Sequence, residues 1–227
     1  MALIHNLEKK CAICGSKHHY QKIATSNNIG MRDLDTRSPG LMRNMIHLLI
    51  EKCPNCGYCN TDVSKKIIDF NEDEIKNEKY QSILNDDTIN FAIKKFVLYA
   101  LLHINRDYRI AGMSFLKAAW MADDAKKAKE ARLLRSKAIK YLELALENDE
   151  EEYIENINLI IVDLYRRIGM FEEAIDCAKY LLNNFGMEKY KQNILLYQIK
   201  LCQDEDLLDH TIPGNYNFYV DRASDNE

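Results

Sequence analysis

Two C-x-x-C pairs, Cys11 with Cys14 and Cys53 with Cys56, constrain this chain more than any other feature. Each pair can offer two thiolates from one tight turn. Gly15 and Gly57 follow the second cysteine of each pair, where a residue without a Cβ lets backbone N–H groups turn toward the sulfurs. Two such knuckles together make a closed four-thiolate site with no open position, the donor set of structural rather than catalytic Zn²⁺. Iron is the rival metal, because four thiolates also suit it. The spacing is long: residues 15–52 lie between the knuckles, against roughly 15–20 in a compact ribbon. The competing readings are two unrelated pairs or a thioredoxin-like dithiol, and the latter lacks its βαβ context. Cys59 extends the second run to C-x-x-C-x-x-C, and His18 and His19 lie beside the first. We expect these three to stay outside the site. Cys177 and Cys202 fall on apolar helix faces, where a thiol behaves as a small hydrophobe.

The remaining composition argues against several classes. The chain opens MALIHNLEKK, without the apolar core of a secretory signal. No run of 18 apolar residues free of charge occurs, so no membrane span is expected. An odd cysteine count of 7 without an export signal points away from a disulfide framework and toward the cytoplasm. With 47% hydrophobic and 29% charged residues, the chain can bury a real core. Its net charge of -4 is the wrong sign for a protein that coats nucleic acid.

Charge and proline are unevenly distributed. Through Phe70 there are 10 Lys and Arg against 6 Asp and Glu; beyond it there are 21 against 29. Proline is absent between Gly57 and Ile212. We therefore divide the chain into a four-cysteine module over 1–70, with short strands between knuckles, a helical domain over 71–203, and an acidic tail over 204–227. The fold class expected is mainly α with a small N-terminal β, zinc-ribbon-like module and TPR-like antiparallel helix pairs. Helices are expected over residues 89–104 (capped by Asp86, Asp87 and Thr88), from Asp107, from the Asp123–Asp124 pair to about 147, over 151–168, over 171–184 ending near Gly186, and over about 188–202. In the tail, Tyr216, Phe218 and Tyr219 hint at docking, against the blander expectation of fraying.

Two further groups carry chemistry. Arg32, Asp33, Asp35 and Arg37 form a polar patch in the loop between the knuckles. Two carboxylates two residues apart suit general acid–base work or a hard cation. The structural alternative is a salt-bridged turn in which Arg32 and Arg37 pair with Asp35 and Asp33. Tyr165, Gly169, Phe171, Ala174 and Ala178 follow the second half of a tetratricopeptide (TPR) repeat, and looser copies surround Phe115 and Leu142. In that phase Asn156, Leu159, Asp163, Arg166 and Arg167 face a concave groove, with the arginines exposed to an acidic partner segment.

The C-x-x-C, the D-L-D-x-R loop, CPNCGY, A-G-x-S-F-L-x-A-A-W (residues 111–120) and L-Y-R-R-I-G-x-F-E-E-A (residues 164–174) together resemble a bacterial family catalogued as domain of unknown function 2225. The resemblance covers roughly residues 8–185 and departs at 41–49 and in the aromatic acidic tail. It implies a zinc-ribbon-like N-terminus joined to TPR-like helices, with Cys11, Cys14, Cys53 and Cys56 as ligands, and it implies no activity. The expected function is a zinc-stabilised scaffold binding a protein or peptide partner. The alternatives are nucleic-acid binding through the cysteine module, or an enzyme using Asp33 and Asp35. The enzyme reading requires one of those carboxylates to be buried with a shifted pKa, beside a pocket.

Overall fold

The computed structural model describes residues 2–147 and 151–213. Two antiparallel hairpins build the N-terminal part. Strands β1 (Leu3–Lys10) and β2 (Lys17–Thr25) pair in register from Ile4 opposite Ile23 to Lys10 opposite Lys17. Strands β3 (Glu51–Lys52) and β4 (Cys59–Asn60) form a far shorter pair. Each C-x-x-C is the turn of one hairpin. Between the hairpins the chain makes helix α1 (Gly40–Met45) and a single 3₁₀ turn over Ile46–Leu48. The short α2 (Asp73–Lys76) and α3 (Glu78–Leu84) follow, and the sequence did not signal them.

The helical part comprises α4 (Phe91–His103), α5 (Tyr108–Asp124), α6 (Ala128–Leu146), α7 (Glu151–Ile168), α8 (Phe171–Asn184) and α9 (Lys189–Gln203). Each packs on the next, and α9 also returns onto α7, the order of contacts that TPR-like helix pairs use. Asp107 caps α5 as expected, accepting from the Ile110 N–H at 2.8 Å. Gly169 at φ +87 separates α7 from α8. Three expected helix signals are corrected. Asn90, not Asp86 to Thr88, caps α4, while Asp86 folds onto Thr88. The Asp123–Asp124 pair does not start a helix; it ends α5, and its carboxylates take arginines instead. The α8 helix ends in extended Phe185 instead of a left-handed Gly186.

Helix α4 is buried nearly all round because it lies between the cysteine module and α5. Even Lys94 and Lys95 are covered, their ammonium groups donating to the Leu84 and His47 carbonyls. One apolar cluster runs from Cys11, Cys53 and Tyr58 through Phe96 and Trp120 to Leu164, across the position of Phe70. A second gathers Leu34 from the inter-knuckle loop, Leu159 and Val162 of α7, Ala174 and Ala178 of α8, and Ile212. Residues 206–212 therefore strap across the helices instead of fraying: the Leu34 N–H donates to the His210 carbonyl at 2.9 Å, and the Ile212 N–H to the Arg32 carbonyl at 2.8 Å. Tyr216, Phe218 and Tyr219 lie outside the described residues. Among the described residues no helix is long and apolar enough to cross a membrane.

Candidate metal centre and a buried acid–arginine network

The two knuckles fold alike. Cys11 N–H donates to the Ser16 carbonyl and Gly15 N–H to the Cys11 carbonyl, at 2.9 and 3.0 Å. In the second knuckle, Cys53 N–H donates to the Tyr58 carbonyl and Gly57 N–H to the Cys53 carbonyl, at 2.8 and 3.0 Å. Both glycines take positive φ, +71 and +78, as this turn demands. At Gly57 space is also denied: a Cβ would stand 2.4 Å from Leu84 Cδ2.

These turns bring Cys11, Cys14, Cys53 and Cys56 together, with all four sulfurs within 4.8 Å of one another. Cys11 Sγ lies 3.7 Å from Cys56 Sγ, and Cys14 Sγ 3.6 Å from Cys53 Sγ. A tetrahedron with metal–sulfur bonds of about 2.3 Å has edges of about 3.8 Å, so the spacing suits one tetrahedral ion. The electrostatics point the same way. Burial, followed by its thiolate neighbours, pushes the Cys56 thiol far up, and burial also raises Cys11. At Cys14 the burial cost is outweighed by hydrogen bonds from Ser16 and Asn55, which bring it down to about 5. Four thiolates this close repel one another, and a cation among them removes that conflict.

Residues flanking the quartet brace it. The Ala12 N–H donates to the Val63 carbonyl at 2.9 Å, and Lys9 Nζ bridges Glu51 and Asp62 at 2.7 and 3.0 Å, tying the hairpins together. The Tyr58 hydroxyl donates to the Lys65 carbonyl and accepts from the Ile67 N–H, at 3.0 and 2.9 Å. Cys59 is fully buried beside the Gly57 carbonyl and does not join the quartet. His18 Nε2 lies 3.2 Å from Ser16 Oγ and does not join the quartet. Among the described residues the quartet is the one group of at least 3 His, Cys, Asp or Glu arranged to hold a metal.

The inter-knuckle loop reaches the opposite end of the helices. Its expected pairing is corrected. Arg37 Nη2 binds Asp124 at 2.6 Å, Arg43 Nη1 binds Asp33 at 2.5 Å, and Arg32 donates to the Thr36 carbonyl at 3.1 Å. Asp35, 1% exposed, accepts from Trp120 Nε1 at 2.6 Å and from the Arg37 N–H at 3.3 Å. Burial, then repulsion from Asp163, raises Asp35 to about 6 against the pull of Arg135, Trp120 and Arg167. Half of the enzyme expectation is thus met, a buried and shifted carboxylate. Asp35 itself is sealed from solvent in this conformation.

The expected groove on α7 is corrected too. Arg166 is 0% exposed, paired with Asp163 at 2.6 Å, and donates to the Asp206 and Leu208 carbonyls at 2.6 and 2.9 Å. Arg167 pairs with Asp123 at 3.2 Å, and Leu159 lies in the second core cluster. Only Asn156 and part of Arg167 remain half-buried. The reason is occupancy: the loop around Leu34 and the strap through Ile212 fill the face that the repeat phase left open. Sequence reasoning placed Arg43 beside the polar patch, where it does pair with Asp33, and named Trp120 only as part of a motif; it missed Arg135 and the strap. No local spacing signals partners so far apart in the chain.

The fold and site define a class: a four-cysteine double-hairpin module joined to a stack of TPR-like helices. The chain belongs to the family described as "Uncharacterized protein conserved in bacteria (DUF2225)", whose model matches residues 4–204. No curated protein and no solved structure gave a match.

Proposed function

We propose that this chain is a cytoplasmic interaction scaffold in which one structural Zn²⁺ clamps the hairpin module and the helical stack presents a surface to a protein partner. The observation that carries the reading is the closure of the quartet. Four sulfurs complete the coordination of a tetrahedral ion, so the metal braces the fold and has no position left for a substrate. Reduced thiols in this arrangement suit a cytoplasmic redox poise. Stacked helices offer an extended surface, and Leu133, Tyr180 and Leu196 stand exposed on α6, α8 and α9. The acidic partner assigned to Arg166 is withdrawn, because that side chain is consumed inside the protein.

Elemental analysis of protein purified without added metal tests the first part, with one zinc per chain expected. Capture from native extract tests the second: the zinc-loaded chain should retain a partner that Tyr180→Ala or Leu196→Ala weakens. A metal-free protein, or a partner insensitive to both changes, would sink the reading. A second reading, nucleic-acid binding, draws on the exposed Lys10, Lys17 and Lys22 of the first hairpin. It requires salt-dependent binding of mixed oligonucleotides.

A further inference from the structure

A cleft of about 420 Å³ opens where α5 ends, α6 begins, α7 ends and the strap crosses. Its charged walls are Lys126, Arg132, Arg135 and Arg167, against Asp123 and Asp209. Four cations face two carboxylates, and both carboxylates are engaged within the protein. Asp123 takes Arg135 and Arg167 together, and Asp209 takes Arg43 at 3.0 Å.

The cations are not all used up. Arg135 and Arg167 keep only 2% and 9% of their side chains exposed, yet the Nε–H of each has no acceptor among the described residues. Those two Nε–H groups are buried below solvent reach, so Arg135 and Arg167 act on the cleft through their charge. Arg132 and Lys126 are exposed at the rim, and neither has a carboxylate partner among the described residues. The start of α6 contributes as well. Ala128, its first residue, lines the cleft, and the Lys127 N-cap supplies no side-chain acceptor to the first turn. A helix of 19 residues thus directs an uncapped positive end toward the same space. Lys126 sits at φ +58, a left-handed residue in the connection that joins α5 to this uncapped turn.

We propose that this cleft binds a small phosphate-bearing anion, held by Arg132, Arg135, Arg167, Lys126 and the first turn of α6. Planar guanidinium groups and a helix N-terminus match the oxygens of a phosphoryl group, and the volume admits a ligand of small-metabolite size. A free inorganic anion and a phosphate monoester share this chemistry. The cleft is separate from the metal quartet and from the exposed faces assigned to the protein partner.

The test uses the full, metal-loaded chain. Inorganic phosphate, pyrophosphate and a sugar phosphate are each titrated calorimetrically at constant ionic strength, with sodium chloride as the control. Saturable binding of at least one phosphate probe is expected. Arg132→Ala combined with Lys126→Asn should weaken it about tenfold or more, because two of the four cations are lost. Both changed residues are exposed, and Asn tolerates the left-handed backbone, so the unliganded melting temperature should stay nearly constant. A monoester that binds better than inorganic phosphate identifies an organic ligand; the reverse identifies a free anion. Absence of saturable binding up to about 10 mM of every probe overturns the proposal. Equal binding by the wild type and the double variant overturns it as well.

Discussion

Asp35 carries its charge at the crowded centre of the arginine network without an arginine bound directly to it. Its donors are Trp120 Nε1 and one backbone N–H, and burial together with Asp163 raises it to about 6. A carboxyl raised in the folded state binds its proton more tightly there than in the unfolded chain. Its contribution to stability is therefore full below about pH 4, falls as pH rises, and is gone above the folded value. Asp35→Asn keeps a carbonyl oxygen for Trp120 and cannot ionise. Urea midpoints measured from pH 4 to 8 should show a wild-type component falling by roughly 2–3 kcal/mol that the variant lacks. Matching pH profiles for the two proteins would show that Asp35 titrates normally and that its surroundings are wetter than the packing indicates.

Among the elements, the α5–α6 pair shows most directly how one residue sets a helix separation. Gly112 faces Leu142, and a Cβ there would stand 2.7 Å from Leu142 Cγ and 3.0 Å from its backbone nitrogen. Helix propensity alone would favour alanine at this position by about 1 kcal/mol. The contact opposes it, because a flexible side chain can move aside and the backbone of a neighbouring helix cannot. Gly112→Ala is therefore expected to lower stability by about 1–3 kcal/mol in spite of its better propensity, read as a shift in the urea midpoint. A gain in stability would mean that the two helices slide apart cheaply.

Across the whole molecule, the metal quartet and the helices share a core. The cluster that includes Cys11, Cys53 and Tyr58 continues through Phe96 to Trp120 and Leu164 without a break at Phe70. Trp120 is the chain's single tryptophan, and it sits on α5 against Asp35, so its fluorescence reports on the helical half. If the core transmits stability, Cys53→Ser should lower the melting temperature seen by Trp120 fluorescence and by far-ultraviolet circular dichroism together. A loss of a few kcal/mol of metal binding corresponds to roughly 10 °C in a chain of this size. A tryptophan transition that stays in place while the hairpins melt would show two independent units divided near Phe70.

The metal quartet was legible in the residue string because its determinants are local. C-x-x-C followed by glycine specifies each turn, and once the hairpins meet, four sulfurs at tetrahedral spacing need no further instruction. The helices were legible for a similar reason: Asp107 and Gly169 mark ends that depend on only a few neighbouring residues. What the helix faces touch was decided elsewhere. Arg166 and Asp163 have the spacing of a solvent-facing pair on α7, and an isolated helix would expose them to water. They are buried because the loop bearing Leu34 and the strap bearing Ile212 close over that face from distant parts of the chain. Asp123 likewise has the sequence context of a helix cap, and it becomes an arginine acceptor only because α6 and α7 bring Arg135 and Arg167 to it. Periodicity determines which side chains share a face, and burial follows from long-range closure, which only the tertiary structure specifies.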